Sequence, residues 1–530
     1  MLEIIVTVDL TTGAISNKEI SSGSRGLYGR GLALDLLKET VPEEAGRFSP
    51  GNAVVLVPGL FVGNPAPSAC RIMMATCEGA SGGMQICNMT GNLAQKLGSI
   101  GVAGLVIKGK AKEPGTVVHI DKTGVSIYCD KTLNGLRTSD IIGKLKERYE
   151  RDSAIIGIGI AGDMMLPLSS VFCTYPDGDP EYHVPRNGFG DVWGAKNLRA
   201  VVVESEGYFG RTCKDPERFS KASKRLAGII VNDEICGSAL PTYGSITIMR
   251  ILEGGEGIRT SPEVKRISEK DRLQDKAGCS RRINRNCAPM CVIGCLNRHA
   301  ASKGRRYSSP AQVETQAAIE NCFGVDDYEL ARRVQEKASE IGLVATEFVT
   351  SANAYARATG SENAQENLLD WLDELAAGSL TGRVIASRTH GVAELYKDIE
   401  LDNWMDVSAA QEEGSFDIRM GEKYPSLDGL TALELLYAQI FVLENLGFCI
   451  FTSFALLDNA EAFDILAEMF ESRTGIKMDA ETLIGEAREC IRRERAYKER
   501  RWMAGQKSNI PPFTRVLYRY FGKREEVCND

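Results

Sequence analysis

The run Arg199-Ala-Val-Val-Val-Glu-Ser205 marks the point at which the chain changes character. It is the last of six short segments that are rich in β-branched residues and bounded by Gly, Pro or Asp, a pattern typical of strands. The earlier five are residues 1–13, 53–59, 104–111, 117–128 and 154–162. Asp121-Lys-Thr-Gly124 separates two alternating runs and therefore predicts a hairpin.

Beyond residue 207, helical periodicity replaces the strand pattern. We expect one helix over 326–343 that ends at Gly342, and another that begins with Ser361 as N-cap and ends at Gly378. Apolar residues on most faces predict a buried helix over 429–447, and an acidic start with a basic end predicts one over 479–501. No repeat with a period of 20–50 residues is found. The fold class is therefore α+β, a β-rich domain of about 200 residues followed by mostly helical structure.

Length and composition limit the possible classes of protein. A chain of 530 residues exceeds one hydrophobic core, and its 43% apolar and 25% charged residues are those of a globular protein. The net charge of −8 argues against a general nucleic-acid binder. No apolar run reaches the about 18 residues of a membrane span, and the N-terminus has acids where a signal peptide has basic residues. We therefore expect a cytoplasmic protein.

The cysteines give the sharpest signal in the sequence. The chain has 15 cysteines, an odd number without an export signal, which argues against a disulfide framework. Cys287, Cys291 and Cys295 place three thiols within nine residues, as an iron–sulfur cluster or zinc requires. No Cys-x-x-Cys pair occurs, which disfavours zinc, and Cys449 is a candidate for a fourth, distant ligand. The alternative is a set of reduced, inert thiols in a buried turn.

Several glycine-bearing turns lie in the first 200 residues. They include residues 66–71, 81–83, 87–91, 186–190 and 193–197. Exposed backbone N–H groups beside Arg and Lys suit phosphate binding, but ordinary tight turns explain them equally well. Neither a Gly-x-Gly-x-x-Gly nor a Gly-x-x-x-x-Gly-Lys fingerprint is present.

Taken together, these features resemble the tungsten-containing aldehyde ferredoxin oxidoreductases over nearly the whole chain. The landmarks occur in that family's order and are Gly29–Leu32, Pro67–Arg71, Gly101–Ala111, Gly190–Ala200, the 287–295 cysteine cluster and Leu446–Phe451. The resemblance implies an N-terminal β saddle over residues 1–206 and two helical domains over 207–400 and 401–530. It also implies a tungsten or molybdenum bis-pyranopterin, a 4Fe–4S cluster, and oxidation of an aldehyde or related carbonyl with electron transfer to ferredoxin or another iron–sulfur carrier.

The same resemblance implies roles for particular residues. Cys287, Cys291, Cys295 and Cys449 match the cluster ligands, and Arg71 matches an arginine between cluster and pterin. Glu314 matches a glutamate that moves protons beside the metal. The matching cofactor-binding positions, which include contacts to pterin phosphates through a possible magnesium ion, are Asn88, Thr90, Gly91, Arg186, Asn187, Gly188, Glu444 and Gly447.

The sequence departs from the family's pattern in three places. The first cysteine gap is one residue longer than the family's. The two pterin motifs read Ser339-Glu-Ile-Gly-Leu-Val344 and Glu444-Asn-Leu-Gly-Phe-Cys449, without the family's aspartates, and no histidine follows His390. Three functions therefore stay open: an oxidoreductase of this family, a cluster-binding electron-transfer or scaffold homologue without pterin, or an enzyme with zinc and a phosphorylated ligand. A homodimer or hetero-oligomer is possible for each.

Overall fold

The computed structural model describes residues 3–20, 28–78, 83–178, 182–183, 188–245, 247–248, 286–299, 309–310, 313–396 and 432–501.

The first six strands form one mixed sheet in the order β2-β1-β6-β3-β4-β5. Strands β1 and β6 run parallel, and the other neighbours are antiparallel. The bounds are β1 Glu3–Asp9, β2 Ala14–Ile20, β3 Ala53–Pro58, β4 Ile72–Cys77, β5 Met84–Met89 and β6 Val102–Lys108, with helices α1 Gly29–Thr40 and α2 Leu93–Ser99.

The next six strands form a second sheet in the order β11-β10-β9-β12-β7-β8. Asp121 pairs with Gly124 at the tip of the β7–β8 hairpin, which confirms the hairpin predicted there. The bounds are β7 Thr116–Asp121, β8 Gly124–Cys129, β9 Ala154–Ile158, β10 Val171–Cys173, β11 Tyr182–His183 and β12 Leu198–Val203, with helices α3 Thr138–Arg148, α4 Ile160–Asp163 and α5 Gly190–Ala195.

The two sheets are copies of one topology. Read from the hairpin edge, the second sheet is β8-β7-β12-β9-β10-β11, which matches the first sheet strand for strand. In each copy the hairpin strand runs parallel to the last strand, as β1 does to β6 and β7 does to β12. The helices also correspond, α1 to α3 and α2 to α5. The β domain is therefore an internal duplication with an offset of about 100 residues, longer than the periods that the sequence analysis covered.

The two sheets pack against each other through one apolar layer. This layer contains residues of both sheets, among them Val6, Leu56, Val118, Ile156 and Val201, each at most 1% exposed. The opposite faces are covered by α1 and α3, so β3 and β9 are buried along their whole length. Burial on both faces explains why these strands read as continuous apolar runs.

Two buried lysines join the copies reciprocally. The Lys96 ammonium of the first copy donates to Asp152 Oδ2 at 2.6 Å and to the Ser205 carbonyl at 2.8 Å, both in or beside the second. The Lys196 ammonium of the second copy donates to the carbonyls of Asn52 and Gly109 in the first. Burial lowers the pKa of Lys196 to about 8, against the charge of Asp9. The lysines thus satisfy strand-end carbonyls that the sheet contact removes from water.

The helices form two apolar cores beside the β domain. One contains α8 to α12, and the other combines α6 with α14 to α17. The bounds are α6 Pro216–Asn232, α7 Leu240–Tyr243, α8 Val313–Phe323, α9 Tyr328–Ile341, α10 Ala345–Thr359, α11 Leu368–Ala377, α12 Leu380–Ala386, α13 Arg388–Tyr396, α14 Ala432–Leu446, α15 Ser453–Leu456, α16 Ala460–Thr474 and α17 Ala480–Arg501. Shorter elements are 3-10 turns at Lys131–Leu133, Ala364–Asn367 and Ile450–Thr452, a π turn at Ile235–Ala239, and a small hairpin of β13 Arg298–His299 and β14 Ser309–Pro310.

This architecture confirms the α+β fold class and most of the predicted helices. The 326–343 helix is observed as α9, with Asp327 as N-cap and Gly342 as left-handed C-cap. Ser361 is not an N-cap, because a 3-10 turn intervenes and α11 begins only at Leu368. The residues between Ser361 and α11 form backbone hydrogen bonds in a 3-10 turn instead of an α-helix, and the apolar periodicity does not indicate this turn.

Two glycine crossings dock the helical cores onto the β domain. A Cβ on Gly59, which follows β3, would lie 2.1 Å from Gly447 Cα, which follows α14. A Cβ on Gly159, which follows β9, would lie 2.5 Å from the Ile341 carbonyl oxygen, at the end of α9. Both helix-terminal glycines, Gly447 and Gly342, have φ near +91°. These are corresponding positions of the duplication, so each copy receives one helix end at the same place.

Replacing Gly447 by alanine tests this crossing. The new Cβ would meet Val62 Cγ2 at 2.7 Å and Gly59 Cα at 2.9 Å, in a left-handed backbone. We expect Gly447→Ala to destabilise the chain by about 2–4 kcal/mol, measured as a lower midpoint of chemical unfolding. Gly485→Ala is the matched control, because nothing lies within 4 Å of its Cβ and it sits inside α17. The control should be neutral or stabilising by about 1 kcal/mol. Equal midpoints for the two variants would contradict the assigned role of the crossing.

Candidate functional site

The turn between β3 and β4 carries the most chemically active residues of the β domain. It contains Ser68, Cys70 and Arg71, which are 0%, 1% and 8% exposed. Ser68 has φ +57°, a left-handed conformation that is uncommon outside glycine and asparagine. The turn thus holds a thiol and a guanidinium at the junction with the helices.

The segment after α14 pairs with this turn. The Gly447 carbonyl accepts the N–H groups of Cys70 and Arg71 at 2.8 and 2.9 Å. The Cys449 N–H donates to the Ser68 carbonyl at 2.9 Å, and Arg71 Nη2 donates to Cys449 Sγ at 2.8 Å. Cys449, which the sequence proposed as a distant fourth cluster ligand, therefore lies against Arg71.

The cysteine cluster at 287–295 reaches the same turn. Ser68 N–H donates to the Met290 carbonyl at 2.7 Å, and the Val292 N–H donates to Ser68 Oγ at 3.1 Å. Thr90, from the first sheet, donates its hydroxyl to Cys287 Sγ at 3.2 Å. The Gly294 N–H donates to Cys291 Sγ at 3.3 Å. Both cysteine-bearing segments are therefore fixed to one buried turn.

The thiols influence each other's protonation. The hydrogen bond with Cys291 lowers the pKa of Cys287 well below its usual range, helped by Arg71 and Thr90 and opposed by burial. The same bond raises the pKa of Cys291. Burial and the neighbouring cysteines raise the pKa of Cys295, and burial raises that of Cys70. One thiolate among neutral thiols, beside a buried cation, is a soft donor set.

The described residues contain no group of three or more His, Cys, Asp or Glu side chains arranged to hold a metal ion. Two of the sulfurs accept hydrogen bonds from the protein, Cys449 Sγ from Arg71 Nη2 and Cys291 Sγ from the Gly294 N–H.

The remaining predicted cofactor positions differ in what they offer. The side-chain amide of Asn88 is buried with no hydrogen-bond partner in the part of the chain that the structure describes. Gly91 has φ +111°, and a Cβ there would lie 2.5 Å from Cys173 Sγ. Gly188 accepts hydrogen bonds from Arg47 and Gln85 at its carbonyl. Arg186 and Asn187 lie outside the described residues.

Glu444 has contacts of its own within the protein. Its carboxylate accepts from Arg30 Nη1 at 2.9 Å, and Arg30 also binds Glu494 with two hydrogen bonds of 2.8 and 2.9 Å. The guanidinium lies over the Phe441 ring at 4.4 Å. Glu444 is therefore part of a buried ionic triad that joins α1, α14 and α17.

Glu314 lies in the first turn of α8 and is partly buried. Its carboxylate accepts from the Ser245 hydroxyl at 3.5 Å. The preceding Gly244 packs against the cysteine segment, because a Cβ there would lie 3.1 Å from the Cys295 carbonyl oxygen. Glu314 is thus linked through Ser245 and Gly244 to the backbone of the cysteine segment.

Sequence reasoning missed Ser68 as a functional residue. Its N–H, carbonyl and hydroxyl each bind a cysteine-bearing segment, and its carbonyl also accepts the Cys70 thiol at 3.4 Å. A comparison of the sequence with itself at an offset of 100 aligns Pro67 with Pro167 and Lys96 with Lys196. These few identities do not reveal the duplication, which is apparent only from the order of the strands in the two sheets.

The geometry defines a duplicated two-sheet β domain that is covered by helices, with a thiol-rich site at the junction. Residues 5–205 match the family model described as aldehyde ferredoxin oxidoreductase, N-terminal domain. The resemblance to this family that was expected from the sequence is therefore confirmed over these residues.

Relatives with the name tungsten-containing aldehyde ferredoxin oxidoreductase share low sequence identity with the chain. The Pyrococcus furiosus protein is 26% identical over 250 residues, 47% of this chain and 40% of that protein. The Pyrococcus horikoshii protein is 25% identical over 421 residues, 75% of this chain and 67% of that protein. The match thus spans only about 40% of the first relative's length.

A solved structure shows the same fold over nearly the whole chain. It is the active site complex BamBC of benzoyl coenzyme A reductase in complex with 1,5-dienoyl-CoA. The TM-score is 0.73 at 19% identity, and the alignment covers 98% of this chain and 94% of that one. The helical domains therefore belong to the shared fold as well as the β domain.

Replacing Ser68 by alanine tests its hold on the cysteine cluster. The variant removes the acceptor of the Val292 N–H and leaves the backbone bonds to Met290 and Cys449 in place. Losing such a buried bond costs about 1–3 kcal/mol, so we expect Cys291 to react with an alkylating reagent about tenfold faster. Peptide mass spectrometry gives the rate at each cysteine.

Two comparisons make this test specific. Cys449 should keep its rate, because its bond is to the Ser68 carbonyl. Ser169→Ala removes the buried hydroxyl of the corresponding turn in the second copy, which has no partner among the described residues. An unchanged Cys291 rate in Ser68→Ala, or an equal rise in Ser169→Ala, would contradict the prediction.

Proposed function

We propose that the chain is an oxidoreductase similar to the aldehyde ferredoxin oxidoreductases, and that it oxidises an aldehyde or related carbonyl. The observation that carries the proposal is the convergence of two cysteine-bearing segments on Ser68 and Arg71 of the β domain. The match of residues 5–205 to the family model and the shared fold support it. The names of the relatives supply the reaction class.

Cys287, Cys291, Cys295 and Cys449 are the proposed ligands of a 4Fe–4S cluster. Four thiols from two segments, with a lowered pKa at Cys287 and N–H donors to two of the sulfurs, support such a cluster. Arg71 is the proposed link to the second cofactor, since its Nη2 already binds Cys449 Sγ and a guanidinium has five donors.

The second proposed cofactor is a tungsten or molybdenum bis-pyranopterin, with magnesium between its phosphates. The amide of Asn88, which has no partner among the described residues, fits a polar ligand beside the first sheet, and Gly91 is also proposed to hold it. The further residues proposed to hold it are Thr90, Arg186, Asn187, Gly188, Glu444 and Gly447. When bound, this group supplies two-electron oxidation chemistry, and the cluster supplies one-electron transfer.

The proposed reaction gives the chain's own groups definite tasks. An aldehyde and water yield a carboxylic acid, two protons and two electrons, and two molecules of a one-electron carrier such as ferredoxin take the electrons. Glu314 Oε2 is the proposed proton acceptor near the thiols, because no histidine follows His390. Ser245, which donates to that oxygen, orients the carboxylate.

The contacts of Glu444 favour a second candidate function. At the first position of the pterin motif, its carboxylate is bound to Arg30 within the protein. At the first position of the other pterin motif, on α9, the Ser339 hydroxyl accepts a hydrogen bond from the Gln335 amide. The Ser339 carbonyl accepts one from the Thr138 hydroxyl. A homologue that keeps the cluster for electron transfer or as a scaffold, without pterin, would need neither residue for cofactor binding.

None of the helices that the structure describes is long and apolar enough to cross a membrane.

Metal analysis of the anaerobically purified chain distinguishes these functions. We expect about four irons and four sulfides per chain, with tungsten or molybdenum if the pterin is bound. Cys291→Ala should lose the visible absorption of the cluster, because it removes one of the proposed ligands.

The other candidates predict different metal contents. Iron without tungsten or molybdenum would favour the electron-transfer homologue. One zinc per chain without iron would reject the cluster and favour the enzyme with a phosphorylated ligand. Cys129→Ala is the matched control, since Cys129 is exposed on β8 and should leave the absorption unchanged.

Glu314→Gln tests the proposed proton acceptor. The amide keeps the shape of the side chain and the partner Ser245 but cannot take a proton. We expect aldehyde oxidation to fall by about 10²–10⁴-fold while iron content stays the same. Single-turnover reduction of the cluster by aldehyde is the measurement.

Glu320→Gln is the control on the same helix, because Glu320 is exposed on α8. Its rate should equal that of the parent. A rate for Glu314→Gln within a few-fold of the parent would limit Glu314 to a favourable charge at the start of α8.

A further inference from the structure

A second buried ionic cluster lies where β1 meets the C-terminal helices. Glu3 Oε1 accepts from Arg211 Nε at 2.6 Å and also from Arg473 Nη2, while Tyr28 donates its hydroxyl to Glu3 Oε2 at 2.5 Å. The side chains of Arg211 and Arg473 are 0% exposed, and that of Glu3 is 2% exposed. Two cations therefore share one carboxylate oxygen away from water.

The charges of this cluster do not balance. Burial alone would raise the pKa of Glu3, but Arg211 and Arg473 lower it to about 2, so the carboxylate is ionised at neutral pH. Among the described residues, two guanidiniums against one carboxylate leave one net positive charge. Burial raises the pKa of Tyr28, which therefore stays neutral. An uncompensated buried charge is strongly unfavourable, so protein interiors rarely contain one.

The hydrogen bonds do not balance either. Arg211 Nη1 donates to the carbonyls of Gly59 and Val62 at 2.6 and 3.1 Å. Arg211 Nη2 and both Nε and Nη1 of Arg473 are buried with no hydrogen-bond partner among the described residues. Three guanidinium nitrogens thus lack an acceptor on the two side chains that carry the excess charge.

The second copy of the β domain provides an internal comparison. There, Arg199 Nη1 donates to the Gly159 carbonyl at 3.3 Å, as Arg211 does to that of Gly59. Arg199 pairs with Asp163, and no second arginine from the described part of the chain joins that ion pair. The excess charge is therefore specific to the first copy and comes from Arg473 at the end of α16.

We propose that Arg211 and Arg473 hold a small inorganic anion of the chloride type between the β domain and the C-terminal helices. A monatomic anion accepts several N–H donors from any direction and supplies the single negative charge that the cluster lacks. Water satisfies the donors but leaves the charge uncompensated. The anion links β1, the segment after β12 and α16, so its role is to stabilise the junction on which the thiol site is built.

Halide-dependent stability of the full chain tests this site. Sodium chloride or bromide replaces sodium gluconate at constant ionic strength, and the thermal midpoint is recorded. We expect a saturable rise of the midpoint with halide, as for any ligand that binds only the folded state. Arg473→Met leaves a neutral Glu3–Arg211 pair and should remove the halide dependence. The control Arg493→Met removes the arginine of α17 that pairs with Asp35, and this variant should keep the halide dependence.

Bromide-soaked crystals of the parent give a result that does not depend on the folding of a variant. An anomalous peak within hydrogen-bonding distance of Arg211 Nη2 and Arg473 Nη1 is expected. A water at that position without anomalous signal, or equal halide dependence in the parent and Arg473→Met, overturns the proposal. Metal content plays no part in these measurements, so they are independent of the proposed oxidoreductase function.

Discussion

The carbonyl oxygen of Gly447 accepts two backbone N–H bonds from the β3–β4 turn, and the thiol site depends on this contact. It requires glycine on both sides of the crossing, since a Cβ on Gly59 would overlap the opposing backbone. With the two segments in register, Cys449 reaches Arg71 and Ser68 reaches the 287–295 cysteines. The positions of the reactive side chains at this site therefore depend on a contact between two main-chain segments that leaves no room for a Cβ atom.

The duplicated β domain is symmetric in its backbone and asymmetric in its chemistry. The corresponding glycine crossing, Gly159 with the end of α9, has the same backbone contacts, because the Gly342 carbonyl accepts the Ser170 N–H at 2.8 Å. Where the first copy has Arg71 and Cys449, however, the second has Val171 and Val344. One scaffold therefore provides two docking sites for helices and one site for thiol chemistry.

Much of this organisation could be predicted from the sequence because it depends on local pattern. The continuous apolar runs of β3 and β9 indicate strands that are buried on both faces. Capping glycines such as Gly342 indicate helix ends, since only the local backbone decides them. Ser361 was assigned wrongly as an N-cap, because a 3-10 turn can satisfy the same backbone groups. The motif alone suggests a cofactor-binding role for Glu444, and no local pattern indicates its partner Arg30, which lies 414 residues earlier.

The sequence by itself determined the strand-rich and helical halves, the spacing of Cys287, Cys291 and Cys295, and their resemblance to a family. Periodicity, capping and motif spacing are properties of short segments, so they can be read before folding. Only the tertiary structure decided that Ser68 binds both cysteine segments, and that Arg473 adds an unbalanced charge beside Glu3. These contacts join residues that lie hundreds of positions apart in the sequence. Their contribution to stability depends on burial, which removes water from the polar groups that pair.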